Sequence, residues 1–424
     1  MPDRRSFICQ SAALLGGMAL HHDPASAFPQ LAAAAPQGEG EAFWRQVRAA
    51  FACSPTLINL NNGGVSPAPR AALEALDHYN RMCNEAPSYY MWRILDQDRE
   101  PLRMNLARAA GCSPDELAIC RNSTEALNTV IFGLPLSAGD EVVVSTHDYP
   151  NMAHAWRQRA QRDGIKLVHA DPDLPSEDEE AIADAFISRF TSRTKVVHIT
   201  HIVNWNGQVM PVRRIADAAR ARGIEVLVDA AHSFALLHYR IPDLGADYWG
   251  TSLHKWMCAP FGNGLLWIRK ERIAKVWPLL SSEQPRSADI RKFENLGTRS
   301  FPIEMAAGYS LDLHELIGTQ RKQERLQFLR RYWMDRVRDV PGIRFKTSPD
   351  PRFGCAIGTF ALAGRKASAI SDELFTRWKI HTVAIERDGK PGVEAGYNHV
   401  RVTPNVYTTT DELDRLVEAI GAMA

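Results

Sequence analysis

The sequence lacks the hallmarks of several protein classes. No stretch reaches the roughly 18 consecutive apolar residues that a membrane-spanning helix needs, so we predict no stable membrane insertion. The 424 residues carry a formal net charge of only +1, which gives no indication of nucleic-acid binding. None of the seven cysteines belongs to a C-x-x-C metal or redox motif. The remaining composition is that of a globular protein, with a length that predicts two or three domains.

The N-terminal residues have the layout of an export signal. Arg4 and Arg5 are adjacent, a modest apolar run covers residues 12–20, and residues 25–27 read Ala-Ser-Ala, a small-residue cleavage site. This order of regions is typical of a signal peptide, and paired arginines favour the twin-arginine route. We therefore predict a twin-arginine signal over residues 1–27, a periplasmic location and the twin-arginine export machinery as a partner. The alternative is a disordered tail that happens to hold two arginines.

Strand-like and helix-like segments alternate through the middle of the chain. Such alternation predicts an α/β fold with a mostly parallel sheet covered by helices on both faces. The continuous apolar runs at 142–144 and 226–228 fit strands that are buried on both faces. The predicted strands are 141–145, 166–170, 195–200, 225–229 and 264–268, and the helix-like stretches are 152–163, 179–190 and 212–222.

Changes in amino-acid composition and pattern along the sequence also predict domain boundaries. Residues 28–42 are rich in Ala, Pro and Gly and are predicted to be a linker, followed by an N-terminal segment at 43–70. A large domain is predicted over 71–304. Residues 305–424 are predicted to form a smaller α+β domain that contains a long charged helix near 314–337 and a final helix over 410–422.

Lys255 is the first candidate for chemistry. It lies in Thr-Ser-Leu-His-Lys-Trp, among apolar and aromatic residues. Burial lowers the pKa of a lysine and makes it a usable amine nucleophile, which is what a Schiff-base lysine requires. A lone lysine is usually exposed, so this interpretation depends on two other segments.

Asp229 is the second candidate, at the end of the apolar strand predicted for 225–229. In open α/β sheets, ligands lie outside the carboxyl ends of strands. A carboxylate there can keep the pyridine nitrogen of pyridoxal phosphate (PLP) protonated, which makes the ring an electron sink. The alternative is an ordinary turn or helix-capping aspartate.

The third segment predicts a phosphate site at the start of a helix. Asn122 followed by Glu125 resembles a capping box. The hydroxyls of Ser123 and Thr124 and free backbone N–H groups would then lie at the positive end of a helix, which suits phosphate. The alternative is a capped helix that binds nothing.

These three segments, in this order and spacing, resemble the class V aminotransferase superfamily of fold type I PLP enzymes. The resemblance covers about residues 55 to 420, and within the superfamily the chain looks like the isopenicillin N epimerase-like branch. It implies a large domain with a mostly parallel sheet of the seven-stranded type and a smaller C-terminal α+β domain. It also implies pyridoxal 5′-phosphate as the cofactor, held as a Schiff base on Lys255, with Asp229 and His232 as further catalytic residues.

The resemblance extends to the other cofactor contacts. Tyr149 matches the aromatic residue that stacks on the PLP ring. Asn204 and His232 match residues near the 3′-oxygen of the cofactor. Ser252 and His254 match contacts on the phosphate side.

The resemblance also implies substrate contacts and a partner subunit. Arg401 aligns with the arginine that grips the substrate α-carboxylate, for which a bidentate guanidinium is well suited. Asn62 and Gly63 are predicted to lie near the substrate mouth, although a simple glycine turn would give the same pattern. Thr298 resembles the loop residue that reaches the phosphate from the partner subunit, which implies a homodimer.

The expected activity is chemistry at the amino group or Cα of an amino acid, with Lys255 as the general base. Transamination, deamination, epimerisation and β-elimination by a C–S lyase all remain open. Because the chain is expected to be exported, a short secreted peptide metabolite is a plausible substrate. The exported relatives suggest the glutamate-derived side chain of a peptide siderophore of the pyoverdine type.

Other functions stay open at this point. Cysteine desulfurases keep a catalytic cysteine shortly before the carboxylate-binding arginine, but residues 385–399 contain none and Cys355 is too far upstream. Desulfurase activity is therefore disfavoured. An aldolase-like Schiff-base enzyme without PLP, or an exported binding protein without activity, would also fit a buried Lys255.

Overall fold

The computed structural model of the protein describes residues 24–34, 40–389 and 396–424. Residues 1–23, which hold most of the predicted export signal, lie outside the described residues. In the part of the chain that is described, no helix is both long enough and apolar enough to cross a membrane.

The strands divide into a large sheet and smaller sheets towards the C-terminus. In chain order they are β1 Ile58–Asn59, β2 Leu117–Cys120, β3 Glu141–Ser145, β4 Lys166–Ala170, β5 Thr194–Thr200, β6 Glu225–Asp229, β7 Tyr248–Ser252, β8 Gly264–Ile268, β9 Ile343–Phe345, β10 Gly358–Leu362, β11 Ile380–His381, β12 Val383–Arg387 and β13 Tyr397–Val402.

The helices surround these sheets. In chain order they are α1 Pro24–Ala27, α2 Pro29–Ala34, α3 Gly40–Ala49, α4 Arg70–Glu85, α5 Pro87–Tyr89, α6 Arg99–Ala110, α7 Ser123–Gly133, α8 Pro150–Asp163, α9 Glu179–Ile187, α10 Val212–Arg220, α11 Phe301–Ile317, α12 Thr319–Val337, α13 Ala367–Trp378 and α14 Thr410–Met423. A π-helix covers Tyr90–Leu95, and short 3₁₀ helices lie at Pro114–Glu116, Ile241–Leu244, Lys270–Lys275 and Ile290–Glu294.

The large sheet has seven strands in the order β2-β8-β7-β6-β5-β3-β4. Its pairs are parallel except those made by β8, which runs antiparallel to both β2 and β7. Every residue of β3, β6, β7 and β8 is buried, as expected for strands covered on both faces. The predicted mostly parallel, seven-stranded α/β fold is confirmed.

The smaller unit contains a four-stranded antiparallel sheet, β12-β13-β10-β9. The strand β1 of the N-terminal segment pairs in parallel with β11. The N-terminal segment therefore packs against the smaller C-terminal unit. The helix α11 runs across position 304, so the boundary predicted between 304 and 305 falls inside a helix.

Two predictions about local structure are wrong. The long helix expected near 314–337 is interrupted at Gly318, whose φ of +83° belongs to a conformation that glycine adopts without strain. The predicted linker at 28–42 contains α2 and the start of α3. Phe28 and Leu31, three residues apart, are both buried, and they anchor a segment whose alanines favour helix. The alanine-rich composition was therefore a helix signal rather than a linker signal.

Candidate active site

A cavity of about 330 Å³ opens where the strands of the large sheet end. This volume is at the lower end of the range for small-molecule sites. The parallel register places Thr200, at the end of β5, opposite Asp229, at the end of β6, as the strand-end rule predicts. The predicted residues that line the cavity are Gly63, Ser123, Thr124, Tyr149, Asn204, Asp229, His232, Ser252, His254, Lys255 and Arg401.

Lys255 lies in this cavity, just after β7. Its Nζ is 3.2 Å from His232 Nε2 and 6.0 Å from the centroid of the Tyr149 ring. Burial lowers the pKa of Lys255 to about 8, and the positive charge of Arg401 acts in the same direction, while Asp229 partly opposes them. A substantial fraction of this amine is therefore neutral near physiological pH, as nucleophilic chemistry requires.

Asp229 is buried beneath the same cavity. Its Oδ1 accepts a hydrogen bond of 2.9 Å from the Ala231 backbone N–H. Desolvation raises the pKa of this carboxyl, and attraction to His198 opposes the rise. A buried carboxylate gains most from a cationic partner, and the protonated nitrogen of a pyridine ring is such a partner.

The start of α7 provides a cradle for an anion. Asn122 is the N-cap, as predicted, and its Oδ1 accepts the Glu125 N–H at 2.9 Å. The Glu125 carboxylate, however, accepts the Arg121 N–H rather than that of Asn122, so the expected capping box is incomplete. The Ser252 hydroxyl accepts the Ser123 N–H at 2.9 Å and donates to the Ser123 hydroxyl at 3.0 Å. Thr124 lines the cavity at the same positive helix end.

The close approach of α7 to the sheet depends on glycine. A Cβ atom on Gly264 would lie 2.6 Å from the Asn122 Cα, and one on Gly250 would lie 2.9 Å from the Ala126 Cβ. Neither position can therefore carry a larger side chain without displacing the helix. Gly250 and Gly264 thus set the distance between the hydroxyl cradle and the strand ends.

Arg401, on β13, forms the opposite end of the cavity. Its guanidinium donates to the Asn204 carbonyl at 2.8 Å and to Asn61 Oδ1 at 3.1 Å. Burial lowers the pKa of Arg401 to about 10, and among the described residues no carboxylate forms an ion pair with it. A buried guanidinium held only by neutral acceptors is well suited to an anionic ligand.

The structure does not bring Asn62 into the cavity. This side chain is fully buried, and its amide donates to the carbonyls of Thr403 and Asn59 at 2.9 and 3.1 Å, while its Oδ1 accepts the Tyr407 hydroxyl. The prediction of a substrate contact is wrong for Asn62, because its polar atoms are already used to hold the loop. The neighbouring Asn61, which contacts Arg401, was not predicted.

Thr298 is exposed and does not line the cavity of its own chain. The segment before it is firmly held, because Glu294 accepts the Ile119 N–H at 2.7 Å and pairs with the buried Arg103. A contact from Thr298 to the phosphate of a partner subunit therefore stays a prediction.

Sequence reasoning missed some residues of the cavity wall. Thr200 contributes to the wall and donates its hydroxyl to Asp148 at 2.7 Å. The strand-end rule that found Asp229 could have found it, since Thr200 closes the neighbouring strand. Val65 and Ile202 also line the cavity, but isolated apolar residues in loops carry no such signal.

The family profile of Aminotransferase class-V matches residues 58–416. The chain belongs to this family. The isopenicillin N epimerase of Streptomyces clavuligerus is 29% identical over 402 residues, which cover 90% of this chain and 98% of the epimerase. A probable cysteine desulfurase of Synechocystis sp. is also 29% identical, over 86% of this chain and 90% of the relative.

Solved structures show the same fold. The complex of the cystine C–S lyase C-DES with its reaction product cysteine persulfide superposes with a TM-score of 0.77 at 22% identity, over 87% of this chain and 98% of the lyase. A C-DES mutant with glycine covalently linked to the PLP cofactor gives a TM-score of 0.79, also at 22% identity, over 88% of this chain and 98% of that one. As a member of the Aminotransferase class-V family, the chain is a PLP-dependent enzyme, and these likenesses show that it has fold type I. Its own residues fit the cofactor: Lys255 for the aldehyde, Asp229 for the ring nitrogen and the α7 cradle for the phosphate.

We expect the apoprotein of this class-V enzyme to capture PLP with a pH dependence set by Lys255. Only the neutral amine attacks an aldehyde, so the capture rate should rise with pH and level off above about 8, rather than near the 10.5 of a free lysine. Stopped-flow absorbance between pH 6 and 10 measures this midpoint. A capture rate still rising steeply at pH 10 would show that Lys255 is not desolvated.

Proposed function

We propose that this enzyme acts on the amino group and Cα of an amino-acid unit carried by a secreted peptide metabolite, as a transaminase or deaminase. The observation that supports this is the pairing of two groups in one small cavity. Lys255 offers a partly neutral amine at one end, and Arg401 offers a guanidinium without a carboxylate partner at the other. An α-amino acid carries on a single carbon the amine that would replace the Lys255 amine on the cofactor, the proton that the freed lysine would accept, and the carboxylate that complements Arg401.

The residues of the chain divide the work between them. When bound, PLP supplies an electron sink for the negative charge that develops at the substrate Cα. Asp229 holds a proton at the ring nitrogen. The amine of Lys255 accepts the Cα proton, because a base with a pKa of about 8 combines an available neutral form with adequate basicity. Arg401 orients the carboxylate, and its bonds to Asn61 and the Asn204 carbonyl fix the guanidinium plane.

His232 assists Lys255. Its Nε2 lies 3.2 Å from Nζ, and its pKa is held well below the usual value by burial and by the charges of Lys255 and Arg401. The imidazole is therefore neutral. Because its Nδ1 accepts the Trp256 indole N–H at 3.4 Å, its proton lies on Nε2, which can donate a hydrogen bond to the neutral amine of Lys255. This contact directs Nζ within the cavity.

The relatives also raise epimerase and C–S lyase chemistry, which would share these first steps and differ in where the proton or a β-substituent goes. A desulfurase role has less support. The sequence from 385 to 399 contains no cysteine, and Cys355 is fully buried with a pKa raised to about 11. A thiol in that state is a poor nucleophile.

The proposal also covers the cellular location of the enzyme, its assembly and its substrate unit. The paired Arg4 and Arg5 and the small-residue site at 25–27 support twin-arginine export to the periplasm. Export of a folded protein is compatible with a cofactor installed beforehand. We include a homodimer, with Thr298 reaching the partner's phosphate site, and the glutamate-derived side chain of a peptide siderophore as the substrate unit.

The test is mass spectrometry of secreted metabolites from cells with and without the gene. We expect one compound to lose an amine in exchange for oxygen only when the gene is present. Unchanged mass with inverted chirality would favour an epimerase instead. A PLP-loaded protein that changes no metabolite would contradict the proposal and favour the exported binding protein.

The carboxylate role of Arg401 has its own test. Arg401→Ala should lower kcat/KM about 100-fold for a substrate with a free α-carboxylate, because a buried charge-assisted pair is lost. The α-carboxamide analogue should be affected much less. Arg401→Lys keeps the charge without the bidentate geometry. Its kcat/KM for the free acid should therefore lie between those of the wild type and Arg401→Ala. Equal losses for acid and amide would show that Arg401 does not bind the carboxylate.

A further inference from the structure

Trp256, the residue that follows Lys255, is joined to it through His232. The Trp256 indole N–H donates to His232 Nδ1 at 3.4 Å, and within the described part of the chain no other group forms a hydrogen bond with that nitrogen. On the other side of the ring, His232 Nε2 lies 3.2 Å from Lys255 Nζ. The three side chains therefore form a chain of hydrogen bonds that ends at the amine in the active-site cavity.

The charge state of His232 leaves one tautomer that fits this chain. Burial, together with the positive charges of Lys255 and Arg401, holds the pKa of His232 well below its usual value, so the imidazole carries a single proton. Because Nδ1 accepts from the indole, that proton lies on Nε2. The other tautomer would bring two N–H donors together at Nδ1 and would leave the buried indole without an acceptor.

The indole is held firmly in its place. The side chain of Trp256 is fully buried, so its ring cannot turn without displacing closely packed neighbours. The backbone is held as well, because the Trp256 carbonyl accepts a hydrogen bond from Nζ of the buried Lys322, which in turn lies 3.4 Å from His314 Nδ1. The indole N–H therefore stays directed at His232.

The tautomer of His232 decides which form of Lys255 is favoured. A neutral amine has a lone pair that can accept a hydrogen bond, whereas an ammonium group has three donors and no acceptor. An N–H on His232 Nε2 therefore pairs with the neutral amine of Lys255 and opposes its protonation. This effect acts on the pKa of Lys255 in the same direction as burial and Arg401, and against the attraction of Asp229.

The other titratable groups around Lys255 have the same charge in either tautomer of His232. Asp229 favours the ammonium form and Arg401 disfavours it. Burial lowers the pKa of His254 to about 4, so this imidazole is neutral, and Tyr149 presents its ring with the centroid 6.0 Å from Nζ. A change in Lys255 that follows from removing the indole N–H must therefore pass through His232.

We propose that Trp256 is a positioning residue, which fixes the tautomer of His232 and so holds the Lys255 amine in its neutral form. This inference rests on the role that the proposed function gives to Lys255, and it adds a residue that controls its reactivity. The neutral amine is the form that attacks an aldehyde and accepts the Cα proton. Once Lys255 is protonated, its ammonium faces an N–H donor, which favours release of the proton to the substrate.

The first test is ¹⁵N NMR of the apoprotein with ring-labelled histidine at neutral pH. The His232 signals, identified by their loss in His232→Leu, should show a protonated Nε2 and a bare Nδ1. In Trp256→Phe, which keeps an aromatic ring but removes the N–H, the tautomer with the proton on Nδ1 should appear. A wild-type protein whose His232 carries the proton on Nδ1 would overturn the proposal, even if Trp256→Phe fails to fold.

The second test is the pH dependence of PLP capture by the apoprotein. In Trp256→Phe, His232 Nε2 can accept a hydrogen bond from the Lys255 ammonium, so the midpoint should rise by about one pH unit. The matched control is Trp249→Phe, which removes another fully buried indole, whose N–H donates to the Tyr239 hydroxyl at 3.2 Å. Trp249 does not line the active-site cavity, and its replacement should leave the midpoint unchanged.

A double variant separates positioning from a general loss of packing. In a His232→Leu background, Trp256→Phe should no longer move the midpoint, because the two residues act through one ring. An unchanged midpoint in Trp256→Phe, the same shift without His232, or an equal shift in Trp249→Phe would each overturn the assignment. The proposed function has a separate outcome: an apoprotein with the expected tautomer and shift, whose loaded form converts no amine, would contradict that function alone.

Discussion

Lys255→Ala is expected to abolish covalent capture of PLP and to lower turnover at least about 10⁴-fold. The variant removes both the amine that holds the cofactor and the base that accepts the Cα proton, and general-base catalysis alone contributes about 10²–10⁴-fold. Purified wild-type enzyme should be yellow and should bleach with hydroxylamine. Borohydride reduction should fix the cofactor covalently to the wild-type protein but not to Lys255→Ala. Absorbance spectroscopy and the mass of the reduced protein measure this difference.

Lys322 provides a matched control for Lys255. It is buried, its pKa is also lowered to about 8 by desolvation, and it donates to the Trp256 carbonyl, but it does not line the active-site cavity. Lys322→Met should reduce thermal stability yet keep the reducible chromophore. Retention of a reducible adduct in Lys255→Ala, or its loss in Lys322→Met with an intact fold, would contradict the assignment of the Schiff-base lysine.

Asp229→Asn should lower kcat about 10³-fold while leaving PLP attached to Lys255. An amide cannot hold a proton on the ring nitrogen, so the electron sink is weakened in the transition state, where preorganised electrostatics matter most. KM should change much less than kcat. The absorbance spectrum of the bound cofactor and its pH dependence should shift as well, which a loss of folding would not produce.

Asp148→Asn is the matched control for Asp229→Asn. Asp148 is also buried, with its pKa raised to about 7 by desolvation, and it accepts the Thr200 hydroxyl and the Ser145 N–H. It does not line the active-site cavity. Replacing Asp148 by Asn should lower the free energy of unfolding but change kcat less than tenfold. Similar kcat losses in the two variants would show that Asp229 acts only through burial of a charge.

Much of this architecture was predictable because strong local patterns carry it. The apolar runs that became β3, β6 and β8 were placed residue for residue, since strands covered on both faces need uninterrupted apolar sequence. The bounds of β4 were also predicted, although this edge strand is only partly buried and carries Lys166 and His169. The strand-end rule located Asp229, and the Asn122 cap located the start of α7. In these places local chemistry and the global fold demand the same residues.

The remaining features depend on contacts between distant parts of the chain. The strand β7 reads Tyr-Trp-Gly-Thr-Ser, which has no continuous apolar run, and its place in the sheet depends on pairing with β6 and β8. The Asn-Asn-Gly-Gly turn could not show which asparagine faces the ligand. In the structure Asn62 hydrogen-bonds to Thr403 and Asn61 hydrogen-bonds to Arg401. Both partners lie more than 300 positions away in the sequence.

The pairing of β1 with β11, and of the loop around Asn62 with Thr403, has a consequence during synthesis. A nascent chain that has emerged to about residue 300 already holds Lys255, Asp229 and the α7 cradle. The arginine end of the site, by contrast, cannot close until residue 403 has left the ribosome and met the N-terminal segment. The residues that would hold the cofactor are therefore synthesised before those that complete the substrate mouth.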